Sequence, residues 1–255
     1  GKDTSSLRSI PCGGSAVPKV LSEAYREQTG LPILQAWGMP ETSPIAAVCR
    51  LDADQEQLPQ AEQAELRTQV GRIVFGAECR VVEPGTTDPV PWDGESSGEL
   101  QCRGNWIAAD YYDDPRSRES FTDDGWLKTG DVATVNQRGF VRLVDRTKDL
   151  IKSGGEWISS VELENELMAH PKIAEAAVIG VAHEKWGEAP LACVVKAPEG
   201  ADLTEEEVLA FLEGKIAKWQ MPKGVVWIDE VPKTSVGKFS KKTLRDEYAG
   251  TLMPG

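Results

Sequence analysis

Histidine is nearly absent. Two residues in 255, His170 and His183, leave few players for histidine-based metal or triad chemistry. Cysteine is sparse as well: Cys12, Cys49, Cys79, Cys102 and Cys193 are odd in number, widely spaced and form no CxxC. That pattern argues against a disulfide framework or a zinc site and suits a reducing, cytoplasmic location. Positive charge is in deficit, with 28 Lys and Arg against 41 Asp and Glu and a formal charge of -13. A protein of that sign is not expected to grip nucleic acid or an anionic membrane over its whole surface. Long hydrophobic runs are missing too. The longest, such as Ala176 to Ala182, are far too short to span a bilayer, and no basic-then-apolar leader opens the chain, so no export signal is expected. Neither a GxxxxGKS/T loop nor a GxGxxG is present, which excludes the common nucleotide loops built on them.

What is there is the balance of a globular protein, 40% apolar and 27% charged, long enough for one large domain or two modest ones. A helix is expected over Val20 to Gln28, ending near Gly30, followed by the apolar stretch Leu31 to Trp37 and the sharp Gly38-Met39-Pro40. After Ala61 the pattern becomes β-like: Gly71 to Phe75, Glu78 to Val82, Glu99 to Arg103, then Val132 to Val135 and Phe140 to Val144 around the hairpin loop Asn136 to Gly139. Beyond Asp145 the character changes. Capping boxes at Ser159 to Glu162 and Thr204 to Glu207 open two helices, the second carrying Val208, Phe211, Leu212 and Ile216 at helical spacing. Ala176 to Val181, Leu191 to Val195 and Val225 to Ile228 read as strands, and Lys241 to Tyr248 as a last helix. The fold class is therefore α/β and α+β, with a compact α+β domain of about a hundred residues joined to the preceding part near Asp145 to Asp149. From Lys215 to Arg245 basic residues dominate, a solvated helix face or a landing site for phosphates.

Gly94-Glu95-Ser96-Ser97-Gly98 matches the serine-hydrolase elbow GxSxG. That elbow needs a buried strand before it and a helix after it; here Pro-Val-Pro-Trp-Asp precedes and a strand-like segment follows, so an ordinary turn is expected. Other residues carry more chemistry. Cys12 to Pro18, with Gly14 and Ser15, is a glycine-rich loop that lets backbone approach a flat ligand. Trp37-Gly38 sets an aromatic face beside another such point, and Glu41 is a hard oxygen ligand of the kind Mg²⁺ takes near phosphates. Asp131, after the Gly130 turn, can accept both hydroxyls of a ribose. Arg146, Lys148 and Lys152 lie between a strand and the loop Ser153-Gly154-Gly155, and Lys238 closes a Pro- and Gly-bounded loop on a long stem. Singly, each has a plain structural reading: Glu41 or Asp131 as caps, Trp37 as core, Lys238 as a solvated lysine.

Their order in one chain is more specific. Gln35 to Thr42, Gly125 to Asp131, Asp145 to Lys152, and Pro232-Lys233-Thr234 with Gly237-Lys238 resemble the adenylate-forming superfamily of acyl-CoA synthetases, aryl-CoA ligases, peptide-synthetase adenylation domains and beetle luciferases. Trp37-Gly38-Met39 and Gly154 to Ser159 look most like its fatty-acyl-CoA ligases.

The resemblance implies an architecture. Residues 1–145 would be the C-terminal part of a large AMP-binding domain, an α/β segment plus a β-barrel-like subdomain that is β-rich from about residue 70. Residues 146–149 would be a hinge, with Lys148 as its pivot, and residues 150–255 a small mobile α+β domain. It implies a reaction: a carboxylate, expected to be a fatty acid, attacks ATP to give acyl-adenylate and pyrophosphate, and the thiol of coenzyme A then displaces AMP. It also implies roles. Lys238 would bridge acyl and nucleotide oxygens, Glu41 would hold Mg²⁺, Asp131 and Arg146 would take the ribose, and Trp37 would stack on adenine with Gly14 and Ser15 at its edge and Gly38 beside it. After a domain rotation Gly154, Gly155 and Trp157 would wall the pantetheine channel, and Lys152 would enter with them.

Two departures carry expectations. Pro40 stands where the family has a threonine whose hydroxyl contacts phosphate, so Pro40→Thr should raise adenylation. The family's Ser/Thr/Gly-rich phosphate loop and most of its acyl pocket lie upstream of anything here, so the isolated polypeptide is expected to be inactive or nearly so. An aryl-acid ligase, an adenylating enzyme serving a carrier protein and a non-catalytic nucleotide- or CoA-binding module remain open at this point. Acyl specificity and oligomeric state are not legible.

Overall fold

The computed structural model describes residues 3–14, 17–115, 117–233, 239–248 and 250–251. The chain separates into two compact units, Gly1–Val144 and Asp145–Gly255.

The first unit opens with β1 (Ile10–Cys12), α1 (Lys19–Thr29), β2 (Ile33–Trp37) and β3 (Ala47–Val48). It continues with α2 (Gln60–Leu66), β4 (Gly71–Ile73), β5 (Ala77–Val82) and β6 (Ser97–Gly104). Then come α3 (Ser117–Ser120), β7 (Leu127–Val135) and β8 (Phe140–Arg146), whose last two residues fall past the unit boundary. One eight-stranded sheet results, in the order β1-β2-β3-β4-β8-β7-β6-β5. β1 and β2 are parallel, whereas β2–β3, β3–β4, β4–β8, β6–β7 and β5–β6 pair antiparallel. Helix α1 stops where expected, at Gly30, which takes the left-handed cap at φ 76° that a side chain resists. Helix α2 departs from the β-like pattern expected after Ala61: Pro59 sits at its start and only Ala64 is buried, so it lacks the apolar stripe that would have marked it.

The second unit carries β9 (Ile151–Ser153), β10 (Glu156–Ile158), α4 (Ser160–Met168), β11 (Ile173–His183) and β12 (Gly187–Lys196). It ends with α5 (Glu205–Leu212), β13 (Gly224–Trp227) and α6 (Lys241–Glu247). A five-stranded sheet runs β10-β9-β12-β11, with β13 parallel to β12. Both sheet faces are covered. On β11, Ala176 and Val178 face one core with Leu163, Leu167, Val208 and Leu212; Ala177, Ile179 and Val181 face the other with Val231 and Leu244. Burial on both faces explains why β11 is a continuous apolar run rather than an alternating one. Both capping serine and threonine residues work as read: Ser159 Oγ accepts Glu162 N–H at 3.1 Å, and Thr204 and Glu207 exchange reciprocal bonds. Helix α5 nevertheless ends at Leu212. Gly214 turns the chain at φ 77°, and Ile216 reaches the same core from the following loop.

The basic stretch is not uniformly solvated. Lys241 is buried, its Nζ 2.8 Å from Glu164 Oε1 and 2.5 Å from Ser160 Oγ, while Ser160 N–H and Oγ–H both donate to Asp145 Oδ2. All five cysteines are free thiols. Among the described residues no helix is long and apolar enough to cross a membrane.

Candidate functional site

In the first unit the sheet brings Trp37 and Asp131 together. Trp37 ends β2 in the core beside Ala133 and Val135 of β7. Its indole Nε1 donates to Asp131 Oδ2 at 2.8 Å, with both side chains buried. Gly130 turns at φ 70°, and the Asp131 backbone N–H donates to Thr129 Oγ1 at 3.1 Å, so the carboxylate sits on a fixed strand position. Trp37 is only 7% exposed: its polar edge fixes Asp131, and most of the ring is core.

Gly38 follows, and its smallness has a cause within the chain. A Cβ there would lie 1.7 Å from the Pro44 carbonyl oxygen, so the close approach is to backbone of the same unit. Gly13 likewise faces the Ala36 carbonyl, at 3.0 Å from a Cβ, which packs the glycine loop against β2. Gly14 adopts φ 93°. Ser15 lies outside the described residues.

Glu41 stands four residues beyond Trp37, in the short turn Pro40–Thr42. Thr42 N–H donates to the Met39 carbonyl, and Met39 N–H donates back to Thr42 Oγ1 at 2.9 Å, closing that turn. One carboxylate oxygen, Oε1, accepts the Tyr111 phenol at 2.6 Å. The other, Oε2, is buried and finds no hydrogen-bond partner among the described residues. Unmatched buried oxygens are costly and rare. The hard carboxylate donor and this unmatched oxygen fit a divalent cation of the Mg²⁺ type. No group of three or more His, Cys, Asp or Glu that could hold a metal by themselves occurs among the described residues.

In the second unit Arg146, at the end of β8, and Lys148, in the turn after it, are exposed. The Arg146 carbonyl accepts Asp149 N–H and Leu150 N–H, and Arg245 pairs with Asp149 at 2.7 Å. The predicted glycine loop is the tip of the β9–β10 hairpin. Gly154 at φ 60° and Gly155 at φ 96° make the turn. Gly154 N–H donates to the Trp186 carbonyl at 2.9 Å, and a Cβ on Gly154 would meet the Trp186 ring at 2.9 Å. Lys152 N–H donates to Glu188 Oε2 at 3.0 Å, and its Nζ lies 5.3 Å from the ring centre of Trp157, which is 42% exposed. Lys238 lies outside the described residues.

The sequence reading missed Tyr111 and Trp186. Tyr111 is 70 positions from Glu41, in a segment without periodicity, and only the tertiary fold brings them together. Trp186 follows His183, whose Nδ1 accepts Lys185 N–H and Trp186 N–H to build the β11–β12 turn. The GxSxG segment is a turn, as expected: Asp93 Oδ1 accepts Glu95 N–H and Ser96 N–H, and Ser96 Oγ donates to Asp93 Oδ2.

Comparison with known proteins places these features in a family. The AMP-binding enzyme family matches residues 1–112, and the AMP-binding enzyme C-terminal domain matches residues 162–238. A 3-methylmercaptopropionyl-CoA ligase of Ruegeria lacuscaerulensis is 46% identical over 99% of this chain and 46% of its own length. A long-chain-fatty-acid–CoA ligase of Thermus thermophilus is 43% identical over 97% of this chain and 46% of its own. Among solved structures, ATP-bound MatB from Rhodopseudomonas palustris superposes with a TM-score of 0.81 at 32% identity, over 94% of this chain and 45% of that one. The chain thus spans about half the length of the relatives it matches. It belongs to the adenylate-forming, AMP-binding enzyme superfamily.

Proposed function

We propose that this chain supplies the nucleotide-facing and thioester-forming parts of an AMP-forming acid–CoA ligase, with a fatty acid as the carboxylate substrate. The observation that carries the reading is the Trp37–Asp131 hydrogen bond. It fixes a carboxylate on β7 beside the strand end from which Glu41 follows, so a ribose acceptor and a cation ligand arise from one sheet. In this reading Asp131 takes the ribose hydroxyls and Arg146 contributes to the same ligand. Glu41 would hold Mg²⁺, which when bound neutralises phosphate charge during adenylation. Gly14, Ser15, Trp37 and Gly38 frame the adenine. Lys238 brings a positive charge to the reacting carboxylate in the first half-reaction. In the second, a turn about Lys148 brings Gly154, Gly155, Trp157 and Lys152 to the pantetheine arm of coenzyme A. Exchanging two sets of groups at one pocket is how a hinged lobe serves two chemistries.

Relatives named for a short thioether acid and for long-chain acids are nearly equally similar, and the fatty-acyl assignment leans on the Trp37-Gly38-Met39 and Gly154 to Ser159 segments. Five free thiols suit the reducing cytoplasm in which we place the enzyme. The 255-residue polypeptide by itself is expected to make acyl-CoA slowly or not at all, because it spans under half of its relatives.

Calorimetric titration with AMP tests the reading directly. The chain should bind AMP, and Asp131→Ala should weaken that binding at least 10-fold, the loss expected when charge-assisted hydrogen bonds to a ligand are removed. AMP affinity indifferent to Asp131 would remove the basis of the assignment.

A further inference from the structure

The segment from Gly104 to Tyr112 is laced to the turn that carries Glu41. Ala108 N–H donates to the Glu41 carbonyl at 2.7 Å, Ser43 Oγ to the Trp106 carbonyl at 2.9 Å, and Trp106 Nε1 to the Ile45 carbonyl at 3.3 Å. These three bonds hold the two segments together without involving the Glu41 side chain. The fourth is different in kind: the Tyr111 hydroxyl donates to Glu41 Oε1 at 2.6 Å, a charge-assisted bond. Tyr111 is itself held. Its backbone N–H donates to Asp110 Oδ1 and Ser117 Oγ, both at 2.9 Å, and its ring meets Phe121 edge-on with centroids 5.8 Å apart.

We propose that Tyr111 is the positioning residue of the cation site: it holds Glu41 Oε1 so that Oε2 alone is presented to a divalent cation. This rests on the reading of Glu41 as a Mg²⁺ ligand. The two carboxylate oxygens are in opposite situations, one bound to a fixed phenol and the other buried without a partner. A carboxylate free to rotate about its last torsion would present either oxygen; the Tyr111 bond removes that freedom. Partners of this kind, one step out from the metal, typically set metal affinity by 10- to 100-fold.

The test uses Mn²⁺ as a paramagnetic probe with the same preference for oxygen ligands, titrated into the whole isotope-labelled chain. Broadening of the Thr42 and Ala108 amide signals reports occupancy next to Glu41. Tyr111→Phe keeps the ring and its Phe121 contact and removes only the hydroxyl. It should raise the Mn²⁺ concentration for half-broadening roughly 10-fold. Glu41→Gln should abolish the local broadening, and adding Tyr111→Phe to it should change nothing more, because the phenol acts only through the carboxylate. A second measurement needs no Tyr111 variant: Mg²⁺ added to the unmodified chain should give a tyrosine ultraviolet difference signal that Glu41→Gln removes. Equal half-broadening with and without the hydroxyl, or a tyrosine signal that survives Glu41→Gln, overturns the role of Tyr111 while leaving the cation site standing. Absence of local broadening in the unmodified chain overturns the cation site and this proposal with it.

Discussion

The Trp37 indole N–H donates to Asp131 Oδ2 over 2.8 Å, joining positions 94 apart at the end of β2 and within β7. Trp37→Phe would keep an aromatic ring in the core and leave the buried carboxylate without that donor. Losing such a bond costs about 1–3 kcal/mol, and the smaller ring adds a cavity contribution of similar size. A urea midpoint lowered to match about 2–6 kcal/mol, with AMP binding weakened in parallel, is expected. An unchanged midpoint would show that the bond contributes nothing to the fold.

The buried group of Asp145, Ser160, Glu164 and Lys241 makes a second prediction with a pH signature. Burial pushes the Glu164 carboxyl up, opposed chiefly by the adjacent Lys241 ammonium. A carboxyl raised in the folded state contributes full stability below the ordinary glutamate range, and that contribution is lost as pH rises through the raised value. Lys241→Met removes the opposing charge and makes the loss steeper. The variant should be destabilised by about 3–5 kcal/mol near neutral pH, the cost of an uncompensated buried charge. The deficit should shrink in acid, where Glu164 can take a proton. Lys241→Met with Glu164→Gln should recover most of the loss at neutral pH. Urea midpoints of the three chains at two pH values decide it, and a deficit independent of pH would exclude this account.

Much of the architecture was legible because it rests on local rules. The Gly30 stop, the Ser159 and Thr204 caps, the Asn136 to Gly139 hairpin and the β11 run are each dictated within a few residues. Helix α2 carries little helical signal because it is polar nearly all round, and the apolar spacing of α5 continues to Ile216 although Gly214 has already ended the helix. The site was legible in its residue types and not in its connections. Glycines such as Gly38 and Gly154 read as room for a ligand, yet the atoms nearest a Cβ belong to Pro44 and Trp186. Nothing in the spacing of Glu41 and Tyr111 announces their contact, which joins two non-strand segments 70 positions apart.

The turn at Asp93 predicts behaviour in acid. Backbone and hydroxyl hydrogen bonds from Ser96, with the Glu95 amide, hold the Asp93 carboxyl down at about 2 against an ordinary 3.8. A carboxylate lowered in the folded state stabilises above its ordinary value and loses that contribution as pH falls through the lowered one. Asp93→Asn keeps an acceptor and removes the charge. The gap between the two chains should therefore be constant near neutrality, narrow as pH falls through 3.8 and be lost as it falls through about 2. Urea midpoints across that range would show it, and a gap that persists in acid would mean the charge is irrelevant. Ser96→Ala should remove a donor to Asp93 and no catalytic group.

Pro40 gives the most direct functional prediction. It occupies the first position of the Pro40–Thr42 turn and is exposed, where the ring's fixed φ is compatible and an N–H would have no partner within the turn. The bonds that close the turn run between Met39 and Thr42. Pro40→Thr therefore leaves the turn's own bonding intact and should cost little stability, so a change in activity would reflect the added hydroxyl and amide rather than a rearranged turn. In the complete enzyme, under the reading proposed above, those two groups add hydrogen-bonding capacity next to Glu41, where the phosphates would lie. Pyrophosphate exchange should then rise several-fold, the scale of one or two new hydrogen bonds to a charged ligand. The rise should appear in the adenylation half-reaction and not in thioester formation. An unchanged exchange rate in a variant that folds as well as its parent would place the phosphates away from this turn, and with them the nucleotide orientation inferred from Glu41 and Asp131.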